Sequence, residues 1–122
     1  MSARTRWVSF AAAGVLVLVG ASAGHAQDSD AIERGNALFQ SLCAPCHGAA
    51  IGDDGQPLLP GTSALSIKYR GALPAVLEER TDLTLDALRV YLRQGSFSMP
   101  PFRQTEITDT EIGDIAAYLT PP

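Results

Sequence analysis

The sequence predicts an all-α protein. In several segments apolar residues recur at spacings of three and four, as they do along one face of a helix. Two of these segments begin with strong N-terminal caps, and no run alternates apolar with polar residues as a half-buried strand would. We therefore expect three clear helices and one or two short ones, joined by long loops.

The N-terminal segment, residues 1–26, has the layout of a secretory signal peptide. Two arginines precede an uncharged apolar stretch, and small residues follow up to Ala26. We expect cleavage after Ala26, with Ala23 as the alternative, so that 27–122 forms the mature domain in the periplasm. An uncleaved anchor facing the periplasm is the rival interpretation, although the apolar stretch is at the short limit for a spanning helix, which needs about 20 residues.

The first helix of the mature domain is expected to start at Asp30. This residue can cap the helix, with Glu33 three positions later in an arrangement close to a capping box. The expected apolar face consists of Gly35, Leu38, Phe39 and Leu42. The helix leads directly into a segment that contains both cysteines of the chain.

Glycine and proline are dense between residues 48 and 63, which predicts a loop. We expect a short helix over 64–70 and another turn or two in 74–79. Thr84 predicts the N-cap of the next helix, which Gly95 ends. A loop around Met99 follows.

The last helix has the clearest signals. Thr108 and Glu111 form a capping box, and Ile112, Ile115, Ala116 and Leu119 follow the helical period. The two prolines at the C-terminus would end the helix.

Composition excludes several classes of protein. The chain has 122 residues, enough for one domain, and its net charge of −4 argues against nucleic-acid binding, which requires a basic face. Two cysteines cannot make a disulfide-rich scaffold, and 46% hydrophobic residues argue against disorder. The chain has two Cys, two Met and two His; loss of the signal peptide would remove Met1 and His25. Any metal chemistry must then use both cysteines, His47 and Met99.

Residues 43–47 carry the chemistry. Cys43 and Cys46, followed at once by His47, form a C-x-x-C-H motif, which is the motif of covalent c-type haem attachment. Two thiols three positions apart can each form a thioether with one haem vinyl group, and the histidine supplies the proximal nitrogen to the iron. The alternatives are a thioredoxin-like pair, which usually follows a strand, a simple disulfide, and a zinc site, which needs a fourth ligand.

Met99 is the expected sixth ligand of the iron. Small haem electron carriers usually close the iron with Met or a second His, and the mature chain offers only this methionine. It lies in a loop where Pro100 and Pro101 restrict the backbone. A His/Met iron has no open position, so we expect outer-sphere electron transfer between Fe(III) and Fe(II). A haem enzyme would require Met99 not to be a ligand.

Over most of 30–122 the chain resembles class I cytochromes c. The resemblance rests on the attachment motif, on Gly35 and Phe39 before it, on Met99 followed by proline, and on the aromatic–Leu pair Tyr118-Leu119. It implies a single covalent haem c wrapped by the helices, and a last helix that crosses the first near Gly35. It also implies that the backbone carbonyl of Pro57 or Pro60 orients the proximal imidazole.

A narrower resemblance concerns three segments, 59–62, 79–84 and 99–107. They are similar to the cytochrome subunits of flavin-dependent dehydrogenases of the p-cresol methylhydroxylase and eugenol hydroxylase type. The resemblance implies a flavoprotein that oxidises a 4-alkylphenol and passes electrons one at a time to the cytochrome. A free diffusible cytochrome c that serves another dehydrogenase or a terminal oxidase is the alternative.

Three further sets of residues are expected around the haem. The residues expected to pack on the porphyrin are Leu42, Leu58, Leu59, Leu88, Leu92, Phe97 and Phe102. Candidate propionate partners are Lys68, Tyr69, Arg70, Arg93 and Arg103. Acidic residues that would steer a basic partner, or only keep the protein soluble, are Asp53, Asp54, Glu78, Glu79, Asp82 and Asp86.

Overall fold

The structure is a computed structural model that describes the backbone of residues 23–120 and the side chains of residues 29–120. Its helices are α1 (Ala23–Leu38), α2 (Ala44–His47), α3 (Pro60–Tyr69), α4 (Leu85–Gln94) and α5 (Asp109–Leu119). A π-helical segment, Phe39–Cys43, connects α1 to α2, and a 3₁₀ turn spans Leu77–Glu79. Within the described range there are no strands, only the isolated bridges Ile51–Pro57 and Ser96–Met99. The all-α prediction is confirmed.

Helix α1 begins earlier than predicted. It starts at Ala23, so Asp30 lies inside the helix and does not cap it. The residues from Ala23 to Asp30 include good helix formers and no proline, so nothing in them ends the helix. The predicted signal peptide lies almost entirely outside the described residues and stays a prediction. Within 23–120, no helix combines the length and the apolar composition needed to cross a bilayer.

Helix α3 also begins earlier than predicted, at Pro60 and not at residue 64. Proline suits the first turn of a helix, because the amide that it lacks would have no partner there, and its fixed φ is helical. Gly61 follows inside the helix. Both residues indicated a loop in the sequence, but here they start a helix.

The caps of α4 and α5 are as predicted. The Thr84 hydroxyl accepts a hydrogen bond from the backbone amide of Ala87 at 3.2 Å. Gly95 ends α4 with a φ of 71°, a left-handed conformation that glycine adopts without strain. At α5 the Thr108 hydroxyl accepts from the Glu111 amide, and the Glu111 carboxylate accepts from the Thr108 amide at 2.7 Å, so the capping box is complete.

Helices α1 and α5 cross in close backbone contact at Gly35. A Cβ atom at this position would lie 1.9 Å from the carbonyl oxygen of Asp114, so only glycine fits. Beside the crossing, the Arg34 Nε donates to Asp114 Oδ2 at 2.8 Å and its Nη2 to Oδ1 at 3.0 Å. The rings of Phe39 and Tyr118 pack with centroids 5.6 Å apart. The crossing implied by the family resemblance is therefore present.

The core lies between α1, α4 and α5. Its buried residues form one cluster: Phe39, Leu88, Leu92, Ile107, Ile112, Ile115, Ala116 and Leu119. Cys43, Ala44, Met99 and Phe102 are partly buried and pack against this cluster. The core therefore brings the segment of the first cysteine and the loop of Met99 against the same group of side chains.

Candidate haem site

The attachment motif spans the end of the π-helical segment and the short helix α2. In the π-helical segment the amide of Ala44 donates to the Phe39 carbonyl, five residues earlier. Pro45, which has no amide hydrogen, occupies the first turn of α2 and costs no hydrogen bond there. Cys43 is half-buried and Cys46 exposed, and both are free thiols. The sequence-predicted attachment residues thus sit on consecutive turns, with one thiol toward the core and one at the surface.

The two thiols differ in their environment. Burial, and to a lesser extent the charge on Cys46, raises the pKa of the Cys43 thiol to about 11. A cysteine that attacks disulfides needs the opposite shift, because the thiolate is the nucleophile. This environment therefore does not favour a thioredoxin-like redox pair.

His47 is held between α2 and α3. A Cβ on Gly61 would lie 2.6 Å from the His47 Cε1 and 2.7 Å from its Nδ1, so the imidazole rests directly against the backbone of α3. The Nδ1 atom is buried without a hydrogen-bond partner among the described residues. Burial lowers the pKa of His47, which favours the neutral imidazole that ligates metals.

The prediction that a proline carbonyl orients His47 is not met in this structure. The Pro57 carbonyl accepts a hydrogen bond from the Ser63 hydroxyl at 3.1 Å, and Pro60 is the first residue of α3. Neither carbonyl accepts from His47 Nδ1, which has no hydrogen-bond partner in the part of the chain that the structure describes. The imidazole is instead confined sterically, by Gly61.

Thr62 fixes α3 to the turn that follows His47. Its side chain is fully buried, and its hydroxyl lies 2.9 Å from the Gly48 carbonyl oxygen and 3.4 Å from that of Cys46. Sequence analysis missed this role, since a threonine beside Gly61 looks like an ordinary turn residue. A buried polar side chain must find partners, and here they are carbonyls next to the imidazole.

Met99 lies in a closed turn after α4. The Ser96 amide donates to the Met99 carbonyl at 3.0 Å, and the Met99 amide donates back to Ser96 at 2.9 Å. A Cβ on Gly95 would lie 2.6 Å from the Met99 carbonyl oxygen, so the chain folds back tightly over the end of α4. The Met99 side chain is half-buried and packs against the same core cluster as Cys43 does.

The apolar residues expected on the porphyrin fall into two groups. Leu88 and Leu92 are buried in the core. Leu42, Leu58 and Phe97 are exposed, Phe97 completely, and Leu59 and Phe102 are half-buried. Phe97 also has a left-handed φ of 52°, which is strained for a bulky residue. Large exposed apolar side chains on the loops flanking the motif and Met99 fit a protein that covers an apolar group.

The candidate propionate partners differ in whether their side chains already contact other residues of the protein. Arg93 binds Asp109, and Arg103 lies 3.6 Å from Glu106. Arg70 is exposed at the left-handed residue that ends α3. Lys68 and Tyr69 lie together, with the Lys68 Nζ 5.1 Å from the Tyr69 ring centroid.

Arg80 was not among the residues predicted for the site. Its side chain is buried, with the guanidinium 4.7 Å from the Tyr69 ring centroid and its Nε donating to Asp82 at 2.8 Å. The contact between Arg80 and Tyr69 holds the loop before α4 against the end of α3. The Asp82 contact is local, but the contact with Tyr69 depends on the tertiary fold and has no local sequence signal.

The described residues fit a c-type haem. Two free thiols precede a histidine with a buried, unpartnered ring nitrogen, and Gly61 leaves room for that ring. Among residues 29–120 no group of three or more His, Cys, Asp or Glu side chains is placed to hold a metal ion. The donor set is therefore suited to an iron carried in by a porphyrin.

Comparison with known proteins agrees with this assignment at the level of the family. The family model described as cytochrome C oxidase, cbb3-type, subunit III matches residues 30–119. No curated protein and no solved structure matches the chain. The match covers α3, α4, α5 and most of α1, together with the attachment motif and the Met99 loop.

Proposed function

The chain belongs to this cytochrome c family, and on that basis we propose that it is a periplasmic monohaem electron carrier. Membership of the family supports a class I c-type cytochrome and therefore haem c and electron transfer. A bound haem would supply an iron that cycles between Fe(III) and Fe(II). Export to the periplasm is supported by the signal-peptide pattern of residues 1–26.

We assign the four site residues as follows. Cys43 and Cys46 bind the haem covalently, His47 is the proximal ligand and Met99 the distal ligand. The observation that carries the proposal is the position of the His47 side chain. Gly61 leaves room for its ring, and Thr62 fixes the turn that follows it. A neutral imidazole held against the α3 backbone is in the protonation state that ligates iron.

The assignment of Met99 favours a carrier over an enzyme. A haem enzyme needs an open position at the iron, whereas a His/Met pair closes both faces. A neutral thioether and an apolar surrounding both favour the ferrous state, because it carries less charge. Met99 is half-buried and packs against the apolar core cluster, which supplies such a surrounding.

We further propose a flavin-dependent dehydrogenase of the 4-alkylphenol type as the electron donor. The support for this donor is the similarity of segments 59–62, 79–84 and 99–107 to the cytochrome subunits of such enzymes. A free carrier that serves another dehydrogenase or a terminal oxidase is the second candidate. Copurification with a yellow flavoprotein that reduces the ferric protein would support the first. A monomer that no such flavoprotein reduces would favour the second.

Several of the acidic residues considered for steering a donor are already bound within the protein. Glu78 accepts hydrogen bonds from Gln40 and Tyr118, and Asp82 pairs with Arg80. Asp86 pairs with Arg89 at 3.4 Å. Asp54 also accepts a hydrogen bond, from the Gln56 amide, so recognition of the donor by charge would rest mainly on Asp53 and Glu79.

Two spectra test the proposed site. A pyridine haemochrome spectrum of the purified protein is expected to report one covalently bound haem for each chain. The oxidised protein is expected to have the near-infrared sulfur-to-iron charge-transfer band, and Met99→Ala should abolish it while the haem stays bound. A wild-type protein with haem but without this band would instead support a haem enzyme.

A further inference from the structure

We propose that Arg93 is a positioning residue that holds Met99 at the iron, by tying the Met99 loop to helices α4 and α5. The inference rests on the proposed function, since it requires Met99 to be the distal ligand. Arg93 is in the last turn of α4, and its side chain is 21% exposed. The sequence had suggested it only as a propionate partner.

Arg93 bridges two elements on either side of the loop. Its Nη1 donates to the Phe102 carbonyl at 3.1 Å, and its Nη2 donates to Asp109 Oδ1 at 2.7 Å. The Met99 loop is residues 95–102 of the stretch between α4 and α5, so Phe102 is its last residue, and Asp109 is the first residue of α5. One rigid guanidinium therefore joins the end of α4, the end of the loop and the start of α5.

The loop is closed around this bridge. The Phe102 amide donates to the Leu92 carbonyl at 2.7 Å, and this hydrogen bond ties the end of the loop back to the last turn of α4. Gln104 Nε2 donates to Asp109 Oδ2 at 2.8 Å, so the same carboxylate also holds the chain beyond the loop. Met99 lies inside the segment that these contacts close.

Loss of the bridge would therefore free the loop without removing the ligand. A ligand on a looser loop leaves the iron more often, and an added ligand then binds more tightly, because its apparent affinity depends on the fraction of open iron. Imidazole is a suitable probe, since it binds ferric haem only when Met99 has left.

Arg89 provides a matched control. It lies one turn earlier on α4 and also forms an ion pair, with Asp86 at 3.4 Å. That pair stays within α4 and is exposed, and Arg89 acts on Asp109 through its charge, without the hydrogen bond that Arg93 makes to that carboxylate. Arg89→Gln removes the same charge from the same helix but leaves the bridge intact.

The experiment titrates the oxidised holoprotein with imidazole at neutral pH and follows loss of the sulfur-to-iron band. For Arg93→Gln we expect half of the band to be lost at about one tenth of the wild-type imidazole concentration. Arg89→Gln should require about the wild-type concentration. Circular dichroism melts identify a temperature at which all proteins are folded, so that a purely structural effect on unfolding does not enter the titration.

An unchanged imidazole concentration for folded Arg93→Gln would overturn the inference. An equal decrease in Arg89→Gln would overturn it too, since charge alone would then explain the effect. If Arg93→Gln does not fold, Asp109→Asn weakens the same bridge from the other side and carries the same expectation. A wild-type protein without the band would refute Met99 ligation itself, and this outcome is visible before any variants are compared.

Discussion

Gly61 is the residue on which the packing of His47 depends most directly. The imidazole lies against its Cα, and a methyl group there would overlap both the ring and the Cys46 carbonyl oxygen, which is 2.7 Å away. Because the carbonyl belongs to the helical turn of the attachment motif, the strain cannot be relieved by rotating a flexible side chain. The ring or the start of α3 would have to move.

We therefore predict that Gly61→Ala impairs the site. The variant should lose about 1–3 kcal/mol of stability, the usual cost of overpacking, and should bind less haem for each chain. Chemical denaturation and the pyridine haemochrome spectrum measure the two effects. Normal haem content together with wild-type stability would contradict the geometry described here. Gly113→Ala is the control, since a Cβ at Gly113 would meet nothing within 4 Å.

Some residues of the site could be predicted from the sequence and others could not. Cys43, Cys46 and His47 form a contiguous motif. Met99 was predicted as a ligand because the chain has only two methionines, and the other is Met1. Thr62 and Arg93 act through partners that are distant in sequence, namely the Gly48 carbonyl and Asp109. Periodicity and composition contain no information about such pairs, because the tertiary fold alone brings them together.

At the scale of elements, local sequence patterns predicted the ends of helices well where the pattern is typical of a helix end and not also of a loop. Thr84, Gly95 and the Thr108 capping box act through backbone groups within four residues, so the sequence contains the whole interaction. Pro60 and Gly61 are ambiguous, since both occur in loops and also at helix starts. The start of α3 was therefore predicted too late.

The crossing of α1 and α5 is the tightest contact between elements. With a Cβ only 1.9 Å from the Asp114 carbonyl oxygen, Gly35→Ala would force the two backbones apart. We predict that the variant loses about 3 kcal/mol or more, at the upper end for overpacking. Thermal or urea unfolding measures the loss.

Gly113→Ala, on the other helix of this crossing, gives the opposite expectation. Space is available there, so alanine should add up to about 1 kcal/mol through its better helix propensity. If both variants changed stability in the same direction and by the same amount, the crossing would not be the cause.

At the scale of the whole molecule, the protein has a small core and many exposed apolar side chains. Among residues 29–120, eight buried residues form the core cluster, whereas Leu42, Ile51, Leu58 and Phe97 are exposed. A domain of this size buries a limited fraction of its surface and often depends on a cofactor for stability. The bound porphyrin would supply the missing apolar contacts.

We predict that the protein without haem is largely unfolded. The double variant Cys43→Ala/Cys46→Ala, purified without haem, should have much less helical far-UV circular dichroism than the wild-type holoprotein at the same concentration. The physical reason is that the core cluster alone must then offset the conformational entropy of the chain. Native-like helical content in the haem-free variant would contradict this view.

The crossing at Gly35 also affects the order of events during folding. Helices α1 and α5 lie at opposite ends of the described chain, so their contact closes a loop of nearly the whole domain. Contacts between distant segments require a large loop to close, so we expect this crossing to form after the local turns of the chain. Until α5 docks, α1 lacks its partner, and the attachment motif next to it stays open. The architecture thus provides an interval in which both thiols are accessible, before the last helix closes the core beside them.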